Sequence, residues 1–195
     1  MENKILSWEE LVEKEWQDYK RHGAKGKFSH EGHAGAEWFG KNISRFHGKF
    51  LDIGCGVIPY PSYMKYPEGE WWGIDPLDGD STRMFNFTKG VAEELPFSDN
   101  TFDLAVFATS LDHLANVETA VTEARRVVKK DGHIAVWTSL RKEDAYDEWK
   151  KNGGMADEHH LTMFTKKTIV EIFNLPIGKW ESFPGNHCII FKNIK

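Results

Sequence analysis

Asp52, Gly54, Gly56 and Asp75 have the types and spacing to hold a ligand that carries a sugar. The run Leu51-Asp52-Ile53-Gly54-Cys55-Gly56 passes from apolar residues straight into glycines. Glycine there permits a tight turn and a close approach of backbone to ligand. Asp75 follows about 20 residues later, the separation at which an acidic side chain grips ribose hydroxyls in doubly wound sheets. A carboxylate accepting from both hydroxyls makes charge-assisted bonds worth roughly 1.5–3 kcal/mol each. Two ligand classes use such a loop. A dinucleotide wants G-x-G-x-x-G opening a full helix whose N-terminus meets the pyrophosphate. Here Pro59 occupies the third glycine position and Pro61 follows, leaving only a short helix around Ser62 to Lys65. That cradle suits a pyrophosphate poorly, so an NAD(P)-dependent oxidoreductase is the weaker reading. A cofactor with a ribose and an adenine but no phosphate suits it better.

A second group of residues could move a proton. Asp112-His113 follows an apolar run that reads as a strand, which places it at the carboxyl end of a sheet. Histidine titrates near neutrality and can take the proton of a reacting hydroxyl; the structural alternative is a helix cap by Asp112 beside a packed His113. Asp157-Glu158-His159-His160 offers metal-ligand types in a row. Neighbours point apart on a strand and stand about 100° apart on a helix, so four in sequence rarely converge on one ion. His30-Glu31-Gly32-His33 departs from the H-E-x-x-H zinc pattern, since its histidines are three apart and Gly32 disfavours a helix. No metal is expected. His33, His159 and His160 are reserve bases, reachable if the segments carrying them fold over the site, and Asp103 is expected to shape a turn.

These residues need elements to position them. Trp8, Leu11, Val12, Trp16 and Tyr19 recur at helical spacing behind a Ser7/Glu10 capping box, and Lys20-Arg21-His22 precede Gly23 as a left-handed cap favours. Gly23 to Gly35 reads as a loop, and Trp38, Phe39, Ile43 and Phe46 as a second helix closed by Gly48. From Lys49 short apolar runs alternate with helical stripes, the pattern of a parallel sheet. Strands are predicted at Phe50–Ile53, Trp71–Ile74, Met84–Phe87, Leu104–Phe107 and Ile134–Trp137, with a helix from Val117 to Val128 ended by Lys129-Lys130-Asp131-Gly132. Arg141 to Lys151 is charge-dense and reads as an exposed excursion. Thr165 can cap a helix holding Ile169, Val170 and Phe173, and Trp180–Phe183, Pro184-Gly185-Asn186 and Cys188–Phe191 read as an antiparallel hairpin.

Four segments in order carry a resemblance. Asp52-Ile53-Gly54-Cys55-Gly56, Gly73-Ile74-Asp75, Ala92 to Asp103 and Glu123 to Gly132 are similar to the successive motifs of class I S-adenosylmethionine-dependent methyltransferases, in particular the small-molecule branch called methyltransferase type 11. The resemblance implies an α/β Rossmann-like domain: a doubly wound, seven-stranded, mostly parallel sheet over residues 48–195, ending in the hairpin. Residues 1–47 are expected to form a helical N-terminal lid of the same single domain. It further implies S-adenosylmethionine as cofactor and S-adenosylhomocysteine as product. Asp52, Gly54, Cys55, Gly56, Asp75, Pro76, Ala92, Glu93 and Ala108 would bind the cofactor, and His113 would serve catalysis. Ile58 stands where the family has a small residue and Val91 where an acidic one often faces the adenine, leaving adenine to the backbone at Ala92 and Glu93. A module that binds the cofactor without catalysis is the alternative. Tyr60 and Tyr63, beside the glycine loop, could offer aromatic faces to a sulfonium.

Composition narrows the partners. The chain has 195 residues, 40% hydrophobic and 28% charged, with 7 Pro, which is one globular domain's worth. With 30 acidic against 25 basic side chains and a formal charge of −5, it lacks the basic footprint of a nucleic-acid binder. Two cysteines are too few for a disulfide framework and fit a reducing compartment. No apolar run approaches a membrane span and the start lacks the order of a signal peptide, so a cytoplasmic location and a small methyl acceptor, a metabolite or sugar, are expected.

Overall fold

A computed structural model describes residues 7–22, 33–79, 82–151 and 160–195. Seven strands form one sheet: β1 (His47–Ile53), β2 (Glu68–Asp75), β3 (Asn86–Lys89), β4 (Phe102–Ala108), β5 (Val128–Thr138), β6 (Ile177–Phe183) and β7 (Asn186–Lys192). Their order is β3-β2-β1-β4-β5-β7-β6, and only β7 runs against the rest. The α-helices are α1 (Trp8–His22), α2 (Ala34–Ile43), α3 (Val117–Val127), α4 (Glu143–Lys151) and α5 (Lys166–Phe173). The expected doubly wound sheet with its closing hairpin is therefore present. No helix among the described residues is long and apolar enough to cross a membrane.

Both faces of the sheet are covered, so its inner strands are apolar on both sides. Leu51, Ala105, Phe107, Ile134, Val136, Ile189 and Phe191 meet Val117, Val121, Ala124, Ile169 and Phe173 of α3 and α5. The alternate residues Phe50, Leu104, Val106, Ala135, Trp137 and Ile190 meet Ala36, Phe39 and Ile43 of α2, with Tyr63 and Met64. This is the two-residue period of a strand presented to two helical layers. Caps set the helix ends. Ser7 Oγ accepts from the Glu10 N–H at 3.2 Å while Glu10 accepts from the Ser7 N–H at 2.9 Å, and Thr165 and Thr168 form the equivalent box on α5. Arg126 of α3 donates to the carbonyls of Leu95 and Phe97 and to Glu123 and Asp99, clamping the segment after β3 against α3.

Several expected boundaries differ. The second helix ends at Ile43, so Phe46 lies beyond it; Gly48 belongs to β1, with φ +113. Gly35 lies inside that helix rather than in the loop, whose residues 23–32 lie outside those described. The segment expected as one lid divides among the described residues: α2 packs in the core under the sheet, and α1 reaches the site cavity. The third strand is shifted to Asn86–Lys89, leaving Met84 74% exposed. Lys129 to Gly132 does not end a helix in a turn; it bulges out of β5, where the register against β4 breaks between Phe102 and Leu104 and Asp131 takes φ +63. The excursion is the exposed helix α4.

Candidate functional site

In the order β3-β2-β1-β4-β5 the winding reverses between β1 and β4. The loops leaving their carboxyl ends diverge there and open a crevice, the usual ligand position in such sheets. A cavity of about 530 Å³ occupies it, within the ~300–1,000 Å³ of small-molecule sites. Its walls come from the loops after β1, β2, β3 and β4, and Trp8, Leu11, Val12 and Glu15 of α1 close one side.

The glycine loop is built as its residue types demand. Gly54 and Gly56 have φ of +77 and +67. A Cβ on Gly54 would stand 2.4 Å from the Ser110 Cβ, so glycine is required there for space as well as for conformation. A Cβ on Gly56 would meet nothing within 4 Å, since it faces the open cavity. The Ser110 hydroxyl donates to the Ile53 carbonyl and ties the loop after β4 to that after β1. Thr109, with φ +60, donates its N–H to the Trp137 carbonyl at 2.8 Å. Neither Thr109 nor Ser110 stands out in the sequence, because their roles are to fit Gly54 and β5 across the sheet.

Asp75 ends β2 and points into this loop. Its Oδ2 accepts from the Gly56 N–H and its Oδ1 from the Leu77 N–H, both at 2.8 Å. Burial pushes the carboxyl up to about 6, against the pull of these donors and the Arg83 charge. Arg83 stacks on Phe87 at 3.7 Å and donates to the carbonyls of Leu77 and Asp78, fixing the chain after Asp75.

Asp52 is placed differently from a lining residue. It is fully buried and absent from the cavity wall, with its Oδ2 accepting from the Tyr63 hydroxyl at 2.6 Å. Burial, opposed by that donor and reinforced by the Asp75 charge, raises it to about 7. Asp52 thus anchors the strand end beneath the site. Tyr63 is 1% exposed and hydrogen-bonded to Asp52, whereas Tyr60 is 37% exposed, and neither lines the cavity. Burial holds the Cys55 thiol well above its ordinary range, with the Asp75 and Asp52 charges adding to the effect, so it is a neutral wall residue.

Gly54, Cys55, Gly56, Asp75, Pro76, Ala92, Glu93, Ala108 and His113 all line the one cavity, as do Ile58 and Val91. Glu93 accepts from the Asn116 N–H at the start of α3 with its carboxylate, 2.9 Å away. Asp103 is structural, accepting from the Lys49 N–H and the Lys129 ammonium. Asp112 and His113 lie in the 3-10 turn Leu111–His113. His160 joins them from beyond α4: Leu161 and Thr162 both donate to the Asp112 carbonyl, at 2.8 and 3.1 Å. His33 caps α2 against Trp137 and does not reach the cavity, while His159 and the rest of 152–159 lie outside the described residues.

The cradle fits a nucleoside cofactor without phosphates. An acidic side chain is presented at the ribose position, the loop glycine beside it leaves room, and no helix N-terminus follows Gly56, since only the 3-10 turn Ser62–Lys65 comes after the prolines.

Residues 51–136 match a family model described as a methyltransferase domain. The chain is 31% identical over 107 residues to an uncharacterized methyltransferase of Schizosaccharomyces pombe, covering 44% of this chain and 38% of that protein. It is 34% identical over 120 residues to the ubiquinone/menaquinone biosynthesis C-methyltransferase of Burkholderia mallei, covering 51% of this chain and 48% of that one. The chain therefore spans less than half the length of these relatives. A crystal structure from Thermotoga maritima, of a methyltransferase described as a possible histamine N-methyltransferase, superposes with a TM-score of 0.65 at 19% identity, covering 96% of this chain and 99% of that one. That likeness is one of fold. The glycine loop, Asp75 and Ala92 all lie inside the stretch of residues 51–136 that is similar to a methyltransferase domain.

Proposed function

We propose that this protein transfers a methyl group from S-adenosylmethionine to a small acceptor, a metabolite or sugar, at oxygen or nitrogen. The observation that carries the reading is Asp75, held by the backbone N–H groups of Gly56 and Leu77 at the rim of the glycine loop. Each carboxylate oxygen keeps a lone pair for a ribose hydroxyl. When bound, S-adenosylmethionine supplies an electrophilic methyl group on a positively charged sulfur. Gly54 and Gly56 would let the backbone close on the cofactor; Pro76, Ala92 and the Glu93 backbone would hold the adenine, with apolar Val91 in place of an acidic partner, and Ala108 at the end of β4 would complete the site. Positioning donor and acceptor in line is the largest contribution the chain can make, up to ~7–11 kcal/mol in favourable cases. His113 lines the same cavity, and on this reading its imidazole takes the proton of a hydroxyl acceptor. The net negative charge and the cavity closed by α1 favour a small acceptor over a nucleic acid.

A thermal-shift comparison tests the reading. Ligand at about 100 times its dissociation constant adds ~2.7 kcal/mol, and each kcal/mol moves the melting point by roughly 2–4 °C at this chain length. S-adenosylhomocysteine should raise it by several degrees. Equal or greater stabilisation by NADH would refute the cofactor assignment. Binding with no transfer across oxygen, nitrogen and carbon acceptors would leave the non-catalytic alternative.

A further inference from the structure

Asp112, His113 and His160 each offer one ligand atom, and the three atoms lie within 4.8 Å of one another. His113 Nε2 is 3.9 Å from Asp112 Oδ1, and His160 Nε2 is 3.9 Å from Asp112 Oδ2. Both separations exceed a hydrogen bond. Ligands at ~2.0–2.2 Å from a divalent ion stand about 3–3.5 Å apart, so the 3.9 Å pairs close by under ~1 Å and the widest pair by up to about 1.8 Å, within the reach of side-chain rotation, to seat one. The two imidazole rings are tilted by 51° with centroids 4.8 Å apart, so the two histidines lie side by side at the turn. Two backbone bonds to the Asp112 carbonyl hold the His160 segment against the turn. The carboxylate side chain is 16% exposed and the imidazoles 34% and 38%, so an ion can enter from solvent.

We propose that Asp112, His113 and His160 form a two-histidine, one-carboxylate site for a divalent transition-metal ion at the acceptor end of the cofactor cavity. Two imidazoles and a carboxylate suit Zn²⁺, Co²⁺, Fe²⁺ or Mn²⁺ and leave coordination positions open. All three residues line the cavity that holds Asp75 and the glycine loop, so the open positions face the space left for an acceptor. A smaller cavity on the far side, bounded by Ser139, Arg141 and Thr162, gives solvent a second approach. The role assigned to the ion rests on the methyl-transfer reading; the site itself does not. A coordinated acceptor hydroxyl loses its proton to water more readily. Its oxygen then bonds the methyl carbon as the carbon–sulfur bond breaks, and that electron pair stays on sulfur, turning the sulfonium into a thioether. In this state His113 is a ligand and not the base.

The test is calorimetric titration of the chelator-treated full chain with Co²⁺ and Zn²⁺, with the visible absorption of bound Co²⁺ as a second readout. One ion should bind per chain. Asp112→Asn and His160→Ala should each weaken it at least ~10-fold, while His47→Ala, an exposed histidine at the opposite end of β1, should not. His160→Gln replaces His160→Ala if the alanine variant loses its fold by circular dichroism. No stoichiometric binding, or binding indifferent to both substitutions, overturns the site and leaves His113 as a base. S-adenosylhomocysteine titrated into the same proteins separates the two ideas: its affinity should survive both substitutions, and its failure to bind wild type would sink the methyl-transfer reading with the metal site intact.

Discussion

On the proposed reading, replacing Asp75 with alanine removes the carboxylate that grips the ribose, and both of its oxygens have defined partners in the structure. Both oxygens already accept one backbone N–H at 2.8 Å, which fixes the rotamer and leaves one acceptor position on each. Losing a single charge-assisted bond of ~1.5 kcal/mol weakens a ligand about 10-fold, and losing two at 1.5–3 kcal/mol each gives roughly 10²–10⁴-fold. Stability should change far less. A carboxyl raised from 3.8 to about 6 by burial destabilises the fold when ionised, by ~3 kcal/mol at ~1.36 kcal/mol per pH unit. Removing it relieves that cost while stranding the Gly56 and Leu77 N–H groups at ~1–3 kcal/mol each. The two nearly offset, so the ligand-free melting point should stay within a few degrees. Titration calorimetry with S-adenosylhomocysteine is the assay, with the ligand-free melting point as control. An affinity within two-fold of wild type would mean that Asp75 does not hold the ribose.

Because burial raises Asp75 to about 6 and Asp52 to about 7, both favour the fold when protonated; their contribution is complete below pH ~4 and is lost as pH rises through 6 and 7. Binding has the opposite sign at Asp75, since only the ionised form accepts from both hydroxyls, so S-adenosylhomocysteine affinity measured by calorimetry should fall below about pH 6, and a flat profile from pH 5 to 8 would contradict it. Gly54→Ala meets both a left-handed φ and the Ser110 Cβ, and should cost over ~2 kcal/mol, lowering the melting point by more than ~4 °C. Gly56→Ala meets only the φ penalty of ~1–2 kcal/mol but places a methyl group at the cavity, so calorimetry should show weaker cofactor binding out of proportion to the loss of stability. His113→Ala should lower kcat at least ~10²-fold on the true acceptor with cofactor affinity nearly constant, and steady-state kinetics within a few-fold of wild type would remove His113 from the chemistry.

Local chemistry was enough to read the central strands, the Ser7 and Thr165 caps, the hairpin and the binding loop, because each signal lies within a few neighbouring residues. An apolar run meeting Gly54 and Gly56 needs no distant partner to be recognised, and Asp75 at the end of β2 is set by its distance along the chain. Boundaries such as Phe46 and Lys129–Gly132 were not legible, since a strand pairing or a bulge is decided by the neighbouring strand's hydrogen bonds. Tyr63, beside the glycine loop, is read as a face for a ligand until the fold turns its hydroxyl onto Asp52. The division of the two N-terminal helices, α2 into the core and α1 onto the cavity, depends on which faces of the sheet remain to be covered. The same holds most strongly for Asp112, His113 and His160. Along the chain His160 belongs to a row of ligand types that rarely converge, and the return of the chain after α4, pinned to the Asp112 carbonyl, brings it beside His113. Residue type and short spacing determine what a segment can do; which distant side chains share a site follows from the order in which strands pair and helices cover them.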